Sequence, residues 1–95
     1  MAAYIVFLVE EITDEQALAR YRQNVRATMA GWNITPRVLY GRHSVVEGKP
    51  LQGIAMVEFP TYEEAERWYR SPAYQAVLKH RLEGANCHTV IMEGA

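Results

Sequence analysis

The chain opens with a segment that is apolar at nearly every position, AAYIVFLVEE over residues 2–11. Its β-branched and aromatic residues predict a strand, in which successive side chains point to opposite faces. One face carries Tyr4, Val6 and Leu8, and the other carries Ile5, Phe7 and Val9. Because a strand with one solvated face alternates apolar with polar residues, this strand is predicted to be covered on both faces.

A helical period replaces this pattern over residues 13–32. Apolar residues recur at spacings of three and four and form one stripe, which consists of Leu18, Tyr21, Val25, Met29 and Trp32. Thr13 and Gln16 match a capping box, and Gly31 is a typical helix stop. These signals predict an amphipathic helix of about four turns.

Two further strands are predicted in the middle of the chain. They are RVLYGRHSVVE over residues 37–47 and LQGIAMVEF over residues 51–59. The link EGKP, residues 47–50, predicts a turn, because Gly48 can take positive φ and Pro50 limits further pairing. Since this link is short, the two strands are predicted to form a hairpin.

A second helix is predicted from Thr61, which forms a capping box with Glu64. Ser71 and Pro72 restart the helix, because serine caps and proline suits the first helical position. Gly84 ends it. The positions predicted to face inward are Ala65, Trp68 and Tyr69 before the break, and Tyr74, Val77, Leu78, Arg81 and Leu82 after it.

Residues 86–93, NCHTVIME, predict a fourth strand and complete the order β-α-β-β-α-β. This order predicts one α+β domain over residues 1–95 with a ferredoxin-like fold, a four-stranded antiparallel sheet with both helices on one face. The first strand is normally central, so its second apolar face would point away from the helices. Exposed apolar faces usually mark interfaces, and we expect a homodimer with two sheets packed face to face.

Charge and composition exclude some classes of binding partner and favour one cellular location. The net charge is −1 and no Lys/Arg cluster exists, so nucleic acid and acidic membranes are not expected as partners. The apolar run of residues 2–9 is too short for a membrane span and lacks the basic leader of a signal peptide. Cys87 is the only cysteine, which excludes an intrachain disulfide and favours a reducing, cytoplasmic location.

The stretch VEFPTYEEAERWYRSPAYQ carries a resemblance to a known family. The matching positions are Glu58, Phe59, Pro60, Ala65, Trp68, Tyr69, Ser71, Tyr74 and Arg81, together with Tyr21, the opening AAYIVFLVE and the closing EG. Nearly the whole chain resembles the domain of unknown function 1330, in the dimeric α/β-barrel superfamily. The resemblance implies a ferredoxin-like protomer and a homodimer. It implies no reaction, although related branches include cofactor-free monooxygenases and muconolactone isomerases.

The corner at Ser71 and Pro72 is flanked by three large rings, those of Trp68, Tyr69 and Tyr74. In one interpretation these rings fill the gap between a bent helix and the sheet. In the other they line a small-molecule pocket, since such sites are apolar concavities with a few aimed polar groups.

Four charged or titratable residues are candidates for chemistry. Glu58 and Arg81 could form an ion pair between sheet and helix, or Arg81 could bind a ligand carboxylate through its planar fork. Arg42 and His43 are neighbours on the predicted second strand and would face opposite sides. His43 could act as a general base, since its ordinary pKa of about 6.5 suits neutral pH. No metal-ligand spacing and no phosphate-binding loop is present, so neither a metal nor a cofactor is expected.

These patterns predict a cytoplasmic homodimer that binds a small organic acid or aromatic metabolite between helices and sheet. If it is an enzyme, we expect cofactor-free isomerisation or oxygenation, with His43 or Glu58 as base and Arg42 or Arg81 as anion anchor. Trp68, Tyr69 and Tyr74 would complete the ligand site. The alternative is a non-catalytic binding or structural module. A cavity of roughly 300 Å³ or more beside Trp68 and Arg81, with unpaired polar groups aimed into it, would favour ligand binding. A filled site in which every polar group is paired would favour the structural module.

Overall fold

The first strand of the chain lies inside the sheet, between two strands that come from later in the sequence. The computed structural model describes residues 1–95. Its strands are β1 (Ala3–Ile12), β2 (Thr35–Leu39), β3 (Gly53–Phe59) and β4 (Ala85–Glu93). Its helices are α1 (Glu15–Val25), a short 3₁₀ helix (Arg26–Met29), α2 (Tyr62–Tyr69) and α3 (Pro72–Gly84). The sheet is antiparallel with the order β2-β3-β1-β4, and the ferredoxin-like α+β fold is confirmed.

The two apolar faces of β1 have different surroundings. Ala3, Ile5, Phe7 and Val9 are buried beneath the helices. The opposite surface of the sheet, called here the open face, consists of Tyr4, Val6, Leu8, Ile54, Met56, Val90 and Met92. No helix covers this side, and Val90 and Met92 are exposed. The sequence prediction that one apolar face points away from the helices is therefore correct.

The N-terminus of α1 is capped one residue later than the sequence pattern predicts. The Asp14 carboxylate accepts hydrogen bonds from the backbone N–H groups of Gln16 and Ala17 at 3.0 and 3.2 Å. Thr13 instead donates its hydroxyl proton to the Glu83 carbonyl at 3.0 Å. The predicted Thr13 cap is wrong because this hydroxyl joins α1 to the end of α3.

The second strand is shorter than predicted. It ends at Leu39 because Tyr40 adopts a left-handed conformation with φ of 56°, which turns the chain out of the sheet. Residues 41–50 are exposed and contain no strand, although Gly48 takes positive φ as expected. The predicted strand over residues 37–47 is therefore wrong beyond Leu39, and Arg42 and His43 lie in the connection to β3.

The break between α2 and α3 has the predicted chemistry. Thr61 caps α2 by accepting a hydrogen bond from the N–H of Glu64 at 3.1 Å. Ser71 caps α3, and its hydroxyl also donates to the Trp68 carbonyl at 2.7 Å, which closes the corner. Pro72 is the first residue of α3.

One inward position of α3 is predicted incorrectly. Tyr74, Leu78 and Arg81 are buried at spacings of four and three. Leu82 is 66% exposed, because one further residue rotates the side chain by about 100° away from the core.

Candidate functional site

A pocket of about 310 Å³ lies between α1, the helix-covered face of the sheet and β2. Its inner walls are the buried residues Phe7, Tyr21, Ala55, Val57 and Trp68. Its outer side is formed by Arg22, Val25, Arg26, Met29, Pro36, Leu39 and Tyr40. The volume lies at the lower end of the range for small-molecule sites.

The pocket exists because one strand position beneath the helices is small. Ala55 of β3 pairs with Phe7 of β1, so a methyl group lies beside a full aromatic ring. The stripe of α1 above it continues through Val25 and Met29, which contact the core only in part. A larger residue at position 55 would fill the space, so the alanine keeps the pocket open.

The charge inside the pocket has a single sign. Arg22 and Arg26 are its only charged lining residues, and the lining contains no Asp, Glu, His or Cys. Both arginines are exposed and lie four residues apart, which places them on the same side of α1. The outer side of the pocket is therefore cationic while its inner walls are apolar.

Tyr40 links this cationic side to the sheet. The guanidinium carbon of Arg22 lies 5.3 Å from the centre of the Tyr40 ring, within the range of a cation–π contact. Burial raises the pKa of the Tyr40 hydroxyl, and the positive charge of Arg22 offsets part of this rise. Tyr40 therefore remains a neutral hydrogen-bonding group at physiological pH.

A second cation lies directly behind the inner wall. Arg81 is only 2% exposed, and no acidic side chain forms an ion pair with it. Its guanidinium carbon lies 5.2 Å from the centre of the Phe7 ring and 5.5 Å from that of Tyr21. Because both rings also line the pocket, one layer of aromatic atoms separates the Arg81 charge from the cavity.

Hydroxyl groups complete the surroundings of Arg81. Its Nη2 donates to the Tyr74 hydroxyl at 3.4 Å, and that hydroxyl lies 2.8 Å from the hydroxyl of Tyr21. The Nε of Arg81 is buried and has no hydrogen-bond partner. Burial raises the pKa values of both tyrosines, so both phenols remain neutral beside the cation.

The predicted aromatic cluster consists mainly of rings packed on one another, and one of the three also lines the pocket. Trp68 lines the pocket while its Nε1 donates to the Thr28 carbonyl at 3.1 Å. Tyr74 packs behind Trp68, with 4.2 Å between the ring centres. Tyr69 stacks on Tyr74 at 5.2 Å and lies outside the pocket lining. Of the three rings, only that of Trp68 borders the cavity.

The predicted contact between Glu58 and Arg81 is wrong. Glu58 follows Met56 on the open face and forms an ion pair with Arg37 at 2.9 Å. Arg81 lies on the other side of the sheet, beneath the helices. The strand alternation that places Phe59 in the core therefore turns Glu58 away from α3.

Arg42 and His43 also lie outside the pocket. Both belong to the exposed connection between β2 and β3, and neither lines the cavity. The Nε2 of His43 lies 3.1 Å from the Leu51 carbonyl. The structure contains no group of three or more His, Cys, Asp or Glu residues that could hold a metal ion.

Several pocket residues had no role in the sequence predictions. Arg22 and Arg26 carried a usable signal, since two arginines four residues apart border the apolar stripe of α1. Tyr40 carried none, because the pattern around it predicted a continuous strand. Ala55 was also hidden, since a small residue in a strand does not by itself indicate a cavity.

The fold and the pocket define a ferredoxin-like protein with a ligand-sized cavity between its helices and its sheet. The chain belongs to the family described as domain of unknown function (DUF1330), which matches residues 2–95. No curated protein matches the chain. No helix combines the length and the apolar character needed to cross a membrane.

Solved structures support the fold. RPA0582, a protein of unknown function from Rhodopseudomonas palustris, has a TM-score of 0.74 at 15% identity, covering 99% of this chain and 82% of that one. A dimeric ferredoxin-like protein of unknown function from Bacteroides fragilis has a TM-score of 0.66 at 15% identity, and the match covers 98% of this chain and 96% of that one. SnoaB, a cofactor-independent oxygenase from Streptomyces nogalater, has a TM-score of 0.65 at 7% identity, and the match covers 99% of this chain and 93% of that one.

Proposed function

We propose that this protein binds a small organic anion with an apolar body in the pocket between α1 and the sheet. One observation carries the proposal: the cavity has apolar walls, and the only charges that line it are the cations Arg22 and Arg26. An aromatic or aliphatic acid would place its apolar body against Trp68 and Ala55. Its carboxylate would then reach the arginines on the outer side.

Arg81 supports the same ligand class from behind the wall. Its positive charge would attract an anion in the pocket, and this attraction falls as the distance between the two charges grows. A guanidinium without a buried counter-ion keeps this field unscreened by other protein charges. The pocket would therefore prefer an anion over a neutral molecule of the same shape.

A second copy of the chain would cover the open face. The supporting observations are the apolar side chains of Val6, Met56 and Val90 on that face, and the dimeric state of the Bacteroides fragilis protein. Because the pocket lies on the other side of the sheet, this homodimer would carry two separate pockets. The single free thiol, Cys87, supports a reducing compartment such as the cytoplasm.

The residues of the pocket favour binding over proton-transfer catalysis. A general base must lie within hydrogen-bond reach of the proton it removes, and no His, Asp or Glu lines the cavity. The second candidate is cofactor-free oxygenation. It is favoured by the fold shared with SnoaB and by the aromatic walls around the cavity. Oxygen consumption with phenolic acids in an oxygen electrode would separate this activity from simple binding.

The binding proposal is tested with compounds of one shape and three charges. Benzoate, benzamide and benzylamine are titrated into the protein while amide chemical shifts are recorded. We expect benzoate to shift resonances around Ala55 and Trp68, and the other two compounds to have little effect. Arg22→Gln should weaken benzoate binding by roughly tenfold, since it removes a charge-assisted hydrogen bond.

Two matched variants make this test specific. Ala55→Phe should abolish binding by filling the cavity. Arg67→Gln removes another exposed arginine, which lies on α2 outside the pocket, and should leave binding unchanged. Equal responses to all three compounds, or benzoate binding that survives Ala55→Phe, would contradict the proposal.

A further inference from the structure

Tyr40 has a conformation that few bulky residues adopt. Its φ of 56° lies in the left-handed region, where a tyrosine side chain is crowded by its own backbone. Its backbone N–H nevertheless donates to the Ile54 carbonyl at 2.8 Å, so the main chain is fixed to the edge of β3. After Tyr40 the chain leaves the sheet. The side chain is thus held at the point where the pocket meets solvent.

The Tyr40 ring rests on a position that only glycine can provide. A Cβ at Gly53 would lie 2.8 Å from the Tyr40 Cδ1, which is closer than two carbon atoms can approach. The Arg22 guanidinium contacts the ring from the α1 side. The ring therefore lies between Gly53 of β3, which has no side chain, and the guanidinium of Arg22.

Tyr40 lies between solvent and the inner wall of the pocket. Tyr40 lines the pocket and is 39% exposed, so the residue has both a cavity side and a water side. Trp68, at the inner wall, is 0% exposed. Rotation of one side chain about χ1 would lift the ring from Gly53, and the backbone hydrogen bond to Ile54 would be unaffected.

We propose that the Tyr40 side chain is a gate of the pocket. The gate is closed while the ring packs against Gly53, which blocks the path from solvent to Trp68, and it opens when the ring rotates away from Gly53. Arg22 contacts both the gate and the ligand space, so the carboxylate of a bound acid would lie beside the closed ring. Only the part of this inference that concerns the ligand rests on the proposed function.

The gate is tested without any ligand. Replacing Trp32 by Phe leaves Trp68 as the only tryptophan, whose fluorescence is then quenched by acrylamide. We expect little quenching when Tyr40 is present and a severalfold rise in Tyr40→Ala. Gly53→Ala, which displaces the ring by steric contact, should produce a similar rise. Tyr40→Phe should keep quenching low, since it keeps the ring.

A control variant and a measurement of ligand binding rates complete the test of the gate. Val46→Ala, at an exposed position of the same connection, should leave quenching unchanged, and circular dichroism confirms that each variant is folded. Unchanged quenching in folded Gly53→Ala or Tyr40→Ala would overturn the gate. If benzoate binds, Tyr40→Ala should raise its association and dissociation rates together. Absence of benzoate binding would contradict the proposed function. It would not affect the test of the gate, which depends only on the quenching result.

Discussion

Arg81 donates a hydrogen bond to the hydroxyl of Tyr74 over 3.4 Å, and the Nε of the same buried guanidinium has no hydrogen-bond partner. A cation removed from water loses several kcal/mol of solvation, and one long hydrogen bond restores little of that loss. Stacking against Phe7 and Tyr21 offsets a further part. An apolar residue would serve stability at least as well. If the pocket binds an anion as proposed, the charge of Arg81 contributes through the field that it projects into the pocket.

The first prediction concerns Arg81→Met. Methionine has a similar length and no charge, so the free protein should keep its free energy of unfolding or gain about 1 kcal/mol. Benzoate affinity should fall by roughly tenfold, because the field behind Phe7 and Tyr21 is lost. Urea unfolding measures the first quantity and an amide-shift titration measures the second.

Arg67→Met is the matched control for this prediction, since Arg67 is exposed and does not line the pocket. It should change neither quantity. A loss of several kcal/mol in Arg81→Met with unchanged benzoate affinity would show that Arg81 is a structural residue, and the electrostatic argument would then fail.

The second prediction concerns stability in alkaline solution. Burial raises the pKa values of Tyr21 and Tyr74 in the folded protein, whereas both ionise near pH 10 when the chain is unfolded. Above about pH 10 the unfolded state therefore holds fewer protons than the folded state. The free energy of unfolding should then fall as pH rises, by up to about 1.4 kcal/mol per pH unit for each tyrosine.

Urea unfolding between pH 8 and pH 11 would measure this slope. The double variant Tyr21→Phe with Tyr74→Phe should be less stable at pH 8, since it removes the hydroxyl that accepts a hydrogen bond from buried Arg81, and its stability should fall less steeply at high pH. Equal slopes for both proteins would show that these two hydroxyls do not control the alkaline transition.

The sequence predicted the elements whose signals are local or strictly periodic. Both faces of β1 followed from alternation, and the corner at Ser71 followed from capping chemistry. The end of β2 could not be predicted, because nothing in the local pattern marks Tyr40, a bulky non-glycine residue, for a left-handed conformation. The pocket could not be predicted either, because it arises from the small size of Ala55 relative to the residues of α1 that lie above it. The ion pair of Glu58 with Arg37 could not be predicted, because it depends on the register between β2 and β3.

The third prediction concerns the contact between α1 and α3. A Cβ added at Gly84 would lie 2.6 Å from the Leu18 backbone nitrogen and 3.0 Å from the Asp14 carbonyl oxygen. Because backbone atoms cannot move aside as a side chain can, Gly84→Ala should destabilise the protein by roughly 2–3 kcal/mol. Gly41→Ala, in open space and without positive φ, is the control and should change stability little. Equal unfolding midpoints would contradict the close approach of the helices.

The fourth prediction concerns the open face. Val6 lies at its centre, opposite Met56 on one neighbouring strand and Val90 on the other. If a second copy covers this face, Val6→Glu would place a carboxylate in an apolar interface, where its desolvation costs several kcal/mol. Wild-type protein should sediment as a dimer at micromolar concentration, and Val6→Glu should sediment as a folded monomer.

The control for this prediction is Val46→Glu, which introduces the same charge at a position that is 88% exposed in the connection between β2 and β3. It should remain dimeric, because a charge on a solvated loop affects association little. A stable wild-type monomer would mean that a central strand can present apolar residues to water. In that case both the dimer and the interpretation of the first ten residues would be wrong.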